Sequence, residues 1–154
     1  THSKTQTIGI LATQGTLNSE LFNKTVEMYQ DTKIIEQIGH GLVQLIESGN
    51  IDSAEMKQLL TEYLTPMIEA NIDYLVLGCS HYPYIIPQIK KILPPHIQII
   101  DSGEAVAKQT QNVLKEKVGL SNLTESHPVF YTNTDSKVLS DILGNKFEVL
   151  QKDF

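Results

Sequence analysis

Leu75-Val76-Leu77-Gly78-Cys79-Ser80-His81-Tyr82-Pro83 is the stretch that decides the fold. The unbroken run from Asp73 to Leu77 predicts a strand covered on both faces, and Gly78 ends it. Three polar side chains follow at once: a thiol, a hydroxyl and an imidazole. Beyond Pro83, Ile85, Ile86, Ile89, Ile92 and Leu93 recur at helical spacing until Pro94-Pro95 stops them. A strand, a polar turn and a helix form the repeating unit of a parallel α/β sheet, and such sheets bind ligands outside the carboxyl ends of their strands.

The same alternation extends in both directions. Upstream, Ile8 to Ala12 predicts a buried strand. Thr13-Gln14-Gly15-Thr16 predicts a turn with Thr16 as the N-cap of a helix carrying Leu17, Leu21, Phe22, Val26 and Tyr29. Lys33 to Ile38 is the next strand, and Leu42 to Glu47 a short helix. Met56, Leu59, Leu60, Tyr63, Leu64, Met67 and Ile68 mark a longer one. Asp52 and Glu55 resemble a capping box at its start, and Pro66 predicts a kink inside it. Downstream, Ile97 to Ile100 predicts a strand, and Val106, Thr110, Val113 and Leu114 give one face of a helix reaching about Lys117. Gly119 to His127 is polar and predicts a linker. A strand (Val129 to Thr132), a helix (Ser136 to Leu143, closed by Gly144) and a strand (Phe147 to Leu150) complete the chain. Four strand–helix repeats predict a doubly wound parallel sheet with helices on both faces. The strand–helix–strand tail has too few elements to bury its own faces, so it is expected to complete a sheet belonging to a second domain.

Composition narrows the function classes. The chain has 154 residues, enough for one ordinary domain plus an appendage, and it lacks the ~18 consecutive apolar residues that a membrane-spanning helix requires. Twelve basic against eighteen acidic residues give a net charge of −6, which argues against nucleic acid or an anionic membrane as partner. A single cysteine forbids an intrachain disulfide and suits a reducing cytoplasm. The chain opens on Thr1-His2-Ser3 rather than Met, which fits a processed product or part of a longer one.

The chemistry gathers at three strand ends: Thr13 to Thr16, Cys79-Ser80-His81, and Asp101-Ser102. Taken alone, a cysteine is more often a small buried apolar residue than a nucleophile. Cys79, however, follows a glycine at a strand end and precedes a helix start, where backbone N–H groups favour a thiolate. Ser80 offers a hydroxyl to a carboxylate; His81 reads either as a hydrogen-bonded structural histidine or as a group that exchanges a proton with the thiol or a substrate. Glu47, at the end of its short helix, reads from the residues as a solvated charge. Tyr82 and Tyr84 read as packing rather than as acids. His2, His40, His96 and His127 are scattered without metal-ligand spacing, so no metal site is expected. There is no Gly-rich phosphate loop.

At Leu75 to Pro83 the sequence resembles the glutamate racemases of the aspartate/glutamate racemase superfamily, whose signature is Leu-Val-Leu-Gly-Cys-Thr-His-Tyr-Pro. Cys79, His81, Tyr82 and Pro83 match, and Ser80 keeps the hydroxyl of the usual Thr without its methyl. Ile8 to Thr16 is similar to the family's Gly-Thr-x-Gly-Thr strand and turn, with Ala12 for the first Gly. Leu42 to Gly49 is similar to its Leu-Val-Pro-Leu-Val-Glu-x-Gly segment, with Gln44 for Pro. Ile100 to Gly103 matches its Ile-Asp-Ser-Gly, and Tyr131 to Asp135 resembles a degenerate form of its C-terminal strand and turn.

The resemblance implies a flavodoxin-like three-layer α/β/α domain over residues 7–118, a linker at 119–127, and a return segment of the first domain over 128–154. It implies cofactor-free interconversion of L- and D-glutamate for peptidoglycan precursor supply. Cys79 is then one of two catalytic cysteines, His81 sets its protonation and Glu47 tunes His81. Ser80, His81, Thr13 and Thr16 bind the substrate. It also implies an absent N-terminal half, because two-base chemistry needs two cysteines and this chain has one. An inter-domain face left exposed would be apolar enough to form a homodimer. Two other readings fit the single thiol: a superfamily enzyme of different chemistry, such as a decarboxylase or another racemase, and a non-catalytic module that binds an acidic metabolite.

Overall fold

The structure, a computed structural model, describes residues 3–119 and 127–154. His2 and nearly all of the predicted 119–127 linker lie outside the described residues. The elements run β1 (Thr7–Ala12), α1 (Gln14–Leu17), α2 (Glu20–Glu27), β2 (Lys33–Ile38), α3 (Leu42–Glu47), α4 (Ala54–Glu69) and β3 (Tyr74–Gly78). A 3₁₀ turn (Tyr82–Ile85) leads to α5 (Ile86–Lys90), β4 (Gln98–Ile100), α6 (Gly103–Lys117), β5 (Val129–Thr132), α7 (Ser136–Ile142) and β6 (Glu148–Gln151). They fall into two compact units, Thr1–Ile46 with Asn50–Glu104, and Glu47–Gly49 with Ala105–Phe154.

In the first unit the strands form one parallel sheet in the order β2-β1-β3-β4, the α/β fold expected. One face carries the main core. Leu11, Leu75 and Leu77 meet Leu42, Leu45 and Ile46 of α3, Met56, Leu60, Leu64 and Met67 of α4, and Ile85 and Ile89 beyond β3. Ile10 and Ala12 face the other way, toward Leu17 of α1 and Phe22 of α2. That second layer is thin. Within β3, burial therefore alternates: Leu75 and Leu77 are buried, whereas Tyr74 and Val76 are only half-buried. This differs from the double coverage the apolar run predicted. Ile8, Ile34, Tyr74, Val76 and Ile100 line an apolar groove of about 210 Å³ there.

The helix starts differ from expectation in three places, each for a tertiary or steric reason. Ser53, not Asp52, caps α4, accepting from the Met56 N–H at 3.1 Å. The Asp52 carboxylate instead accepts from Gln88 Nε2 at 3.0 Å and pairs with Lys91. The helix expected after Thr16 is two helices, capped by Thr13 and by Ser19. The helix expected after Pro83 begins as a 3₁₀ turn, because Pro87 has no N–H to continue an α-helical ladder. Helix α4 passes through Pro66 and ends in a Schellman closure. Asn71 takes φ +60°, its N–H reaches Ile68 O, and the Ile72 N–H reaches Met67 O. Ile72 and Met67, both fully buried, add the apolar contact that usually accompanies this motif.

The second unit contains β5 and β6, paired in parallel with Val129 opposite Glu148, and α7 between them in sequence. Phe130 and Phe147 lie 5.2 Å apart between ring centroids. None of its described residues is fully buried, and Val129, Tyr131, Phe147 and Leu150 are exposed. A two-stranded sheet of this kind is marginal by itself. The apolar positions Val106, Val113 and Leu114 of α6 are exposed as well.

Asp73 ties the start of β1 to the start of β3. Its carboxylate accepts from the Ser3 hydroxyl and from the N–H groups of Lys4 and Thr5. Partial desolvation raises its pKa, but these hydrogen bonds outweigh it and bring the group from an ordinary 3.8 down to about 2. A carboxyl depressed on folding contributes stability above its unfolded pKa and loses it as pH falls through its folded one. The gap in urea midpoint between the chain and Asp73→Asn is therefore expected to be constant from neutral pH to about pH 5, and to close between about pH 4 and pH 2.

Candidate functional site

The strand order places the site. The chain leaves β1 toward β2 and leaves β3 toward β4, so the connections after these adjacent strands diverge. Their carboxyl ends frame a crevice at a topological switch point, the place where open α/β sheets bind ligands. Ala12-Thr13 and Gly78-Cys79 sit at its lips, since Ala12 pairs with Gly78. The crevice has a volume of about 630 Å³. It is lined by Thr13 and Thr16, by Leu77 through His81, and by Val43 and Ser102.

The turn carrying the thiol is held from both sides. On one side the Thr16 hydroxyl donates to Gly78 O at 3.0 Å. That hydroxyl has one proton, so in its 3.0 Å contact with Thr13 Oγ1 it is Thr13 that donates. Thr13 Oγ1 also accepts from the Thr16 N–H. Thr16 is thus a clamp on the residue before Cys79 rather than the expected N-cap. On the other side, the Tyr82 N–H closes on Cys79 O at 3.2 Å, and the Tyr82 ring is fully buried. Its phenol donates to Gly39 O at 3.2 Å. Burial, with lesser effects of Cys79 and Tyr63, pushes the Tyr82 pKa well up, so it remains a neutral donor and not an acid. The Tyr63 phenol donates to His40 O at 3.0 Å. Two phenols therefore pin successive carbonyls of the loop that leads into α3 and Val43. Tyr84 is exposed.

Cys79 and His81 are half-buried and Ser80 is exposed. His81 Nδ1 lies 3.9 Å from Cys79 Sγ and 3.4 Å from Ser80 Oγ. These distances are long for hydrogen bonds. Of the residues singled out from the sequence, Cys79, Ser80, His81, Thr13 and Thr16 line this one crevice. Glu47 is the last residue of α3 and is exposed. Asp101 accepts from the Gly103 N–H at 2.8 Å, which spends one of its oxygens on the start of α6. Sequence reasoning missed Val43. Its neighbours Leu42, Leu45 and Ile46 face the core, and a reading of the core face passes over the residue beside them. Among the described residues, no group of three or more His, Cys, Asp or Glu side chains is placed to hold a metal ion.

A sequence profile of the family described as Asp/Glu/Hydantoin racemase matches residues 1–110. The chain belongs to this racemase family. Similar proteins include the glutamate racemases of Pseudomonas entomophila (strain L48), 38% identical over 137 residues, and Pseudomonas putida (strain KT2440), 39% identical over 141 residues. Each comparison covers 88% of this chain and 52% of the other protein, so the chain spans about half the length of the curated relatives it matches. Among solved structures, glutamate racemase isoform RacE1 from Bacillus anthracis superposes with a TM-score of 0.82 at 27% identity, over 99% of this chain and 59% of that one. Glutamate racemase from Francisella tularensis, solved in complex with D-glutamate, gives 0.80 at 25% identity, over 97% and 57%. No helix among the described residues of this racemase-family chain is long and apolar enough to cross a membrane.

Two substitutions test the framework of the site. A Cβ at Gly39 would lie 2.3 Å from the Tyr82 hydroxyl oxygen, so Gly39→Ala is expected to cost about 1–3 kcal/mol in urea unfolding. Thr16→Val, which keeps the shape and removes the donor, is expected to cost about 1 kcal/mol, with Thr16→Ser close to neutral.

Proposed function

We propose that this chain is the C-terminal portion of a glutamate racemase and supplies one of its two opposed thiol bases. The observation that carries the reading is a thiol and an imidazole within 3.9 Å at the switch point of a racemase-family sheet. Residues 7–118 form the second domain of the parent and 119–127 a linker. Residues 128–154 form a return segment that completes the sheet of the first. The exposed faces of β5 and β6 support that assignment.

In the reaction, the Cys79 thiolate removes the α-proton of L-glutamate. A thiol of the N-terminal half, on the opposite face, delivers another proton, inverting the centre. The α-proton beside an ionised carboxylate is a very weak acid, so the bases must be close and the site shielded from water. His81 exchanges a proton with Cys79, and Glu47 tunes His81. The exposed Ser80 hydroxyl takes a substrate carboxylate. Thr13 and Thr16 have spent their protons on each other and on Gly78, so they meet substrate only as acceptors, which suits the ammonium group. No cofactor takes part. With a net charge of −6, the chain relies on local donors, not its overall field, to hold a dicarboxylate. The product is D-glutamate for peptidoglycan precursors in the cytoplasm, and self-association as a homodimer is consistent with the exposed apolar surface.

The single cysteine supports a second reading, single-thiol chemistry on a malonate-type acid. One experiment separates the two. Racemisation is followed by polarimetry for the chain alone and for the chain joined to the N-terminal half of a relative. The joined protein is expected to racemise glutamate and to lose about a thousandfold in kcat on Cys79→Ser. Decarboxylation of a malonate by the chain alone, or racemisation indifferent to Cys79→Ser, would overturn the proposal.

A further inference from the structure

Two side chains converge on one nitrogen in this site. Cys79 Sγ and Ser80 Oγ approach the same His81 Nδ1, at 3.9 Å and 3.4 Å. A neutral imidazole carrying its proton on Nε2 has a single in-plane lone pair at Nδ1, which accepts one strong hydrogen bond at a time. In that tautomer the two contacts compete, and neither is short. Of the three side chains only Ser80 is exposed, so it is the first that an incoming ligand meets. The neighbouring phenol of Tyr82 is engaged with Gly39 O and stays out of the exchange.

The geometry points to Ser80 as a ligand-sensing switch on the thiol: in the empty site its hydroxyl occupies His81 Nδ1 and leaves the proton on Cys79, and a carboxylate that draws the hydroxyl away frees Nδ1 to take that proton. This rests on the reading of Cys79 as a base and adds how the base is generated. In the step, the S–H bond breaks with its electron pair left on sulfur, and an N–H bond forms at Nδ1. The ring becomes an imidazolium beside the new thiolate, so the pair stays neutral overall. The serine keeps its own proton and only changes acceptor, from nitrogen to carboxylate oxygen. The consequence is economy of reactivity: thiolates, not thiols, are the oxidisable form, and this site forms its thiolate when a carboxylate is present.

Cys79 is the only cysteine of the chain, so alkylation by iodoacetamide, read by intact mass, reports on it alone. At neutral pH, Ser80→Ala is expected to be alkylated roughly fivefold faster than the unsubstituted chain, the factor for losing one ordinary neutral hydrogen bond. Ser80→Thr, which keeps the hydroxyl, should match the unsubstituted chain. In a His81→Gln background, Ser80→Ala should change nothing. Sodium formate, compared with sodium chloride at equal ionic strength, should accelerate alkylation of the unsubstituted chain and leave Ser80→Ala unaffected. Ser80→Gly removes the same hydroxyl and replaces Ser80→Ala if that variant does not fold. Equal rates for Ser80→Ala and the unsubstituted chain would overturn the switch. So would the same acceleration in the His81→Gln background, which would mean wider access alone, or a lack of response to formate. Alkylation requires no turnover. Coupling among Ser80, His81 and Cys79 together with racemisation indifferent to Cys79→Ser would therefore sink the racemase role and leave the switch standing.

Discussion

Ala12 and Gly78 face each other across the β1–β3 ladder with no room for another carbon between them. A Cβ at Gly78 would lie 2.7 Å from that of Ala12. Everything at the site follows from this close approach. It brings the carboxyl ends of the two central strands together where their connections diverge, and it lets the Thr16 hydroxyl reach over to the Gly78 carbonyl. The turn that presents Cys79, Ser80 and His81 is thereby fixed at its first residue. A larger residue at position 78 would have to part the strands or turn the peptide that Thr16 holds.

Behind that seam, the stability of the site is inherited from the core on one face of the sheet. The fully buried Tyr82 joins the two. Its ring packs in the core, its backbone closes the turn on Cys79, and its phenol reaches the loop before α3. A buried phenol left without a partner would be costly, so this bond fixes the loop as well as satisfying the ring. The clamp from Thr16 is polar and local, while the clamp from Tyr82 is apolar and anchored in the core. Between them the side chains of Cys79, Ser80 and His81 sit on a turn held at both ends, beside the crevice. The other face of the sheet is covered thinly and contributes less.

The strands were the most legible part of the sequence, because apolar runs bounded by Gly, Pro and polar clusters leave few alternatives. Lys33–Ile38 and Leu42–Glu47 occur as predicted, as does Val129–Thr132. What the sequence hid was set by partners distant along the chain. Asp52 and Ser53 are both good caps by type. Gln88 and Lys91, more than thirty positions on, engage Asp52 and leave the cap to Ser53. Thr16 looked like a cap because its partner, Gly78 O, is sixty-two residues away. The alternating burial of β3 was invisible, since Tyr74 and Val76 are apolar whether covered or not. The polar trio at 79–81 was found because glycine-ended strands carrying such residues mark ligand crevices. Val43 was passed over because the core-facing pattern of α3 draws attention to its other side.

The central claim is that this site is one half of a two-thiol centre, and the intact mass and sequence of the native polypeptide in its source cells test it most directly. The account predicts a mass well above the 17.2 kDa of this chain, with a second cysteine in the additional sequence. A native product of 17.2 kDa would contradict it, because a single thiol has no partner on the opposite face of the substrate.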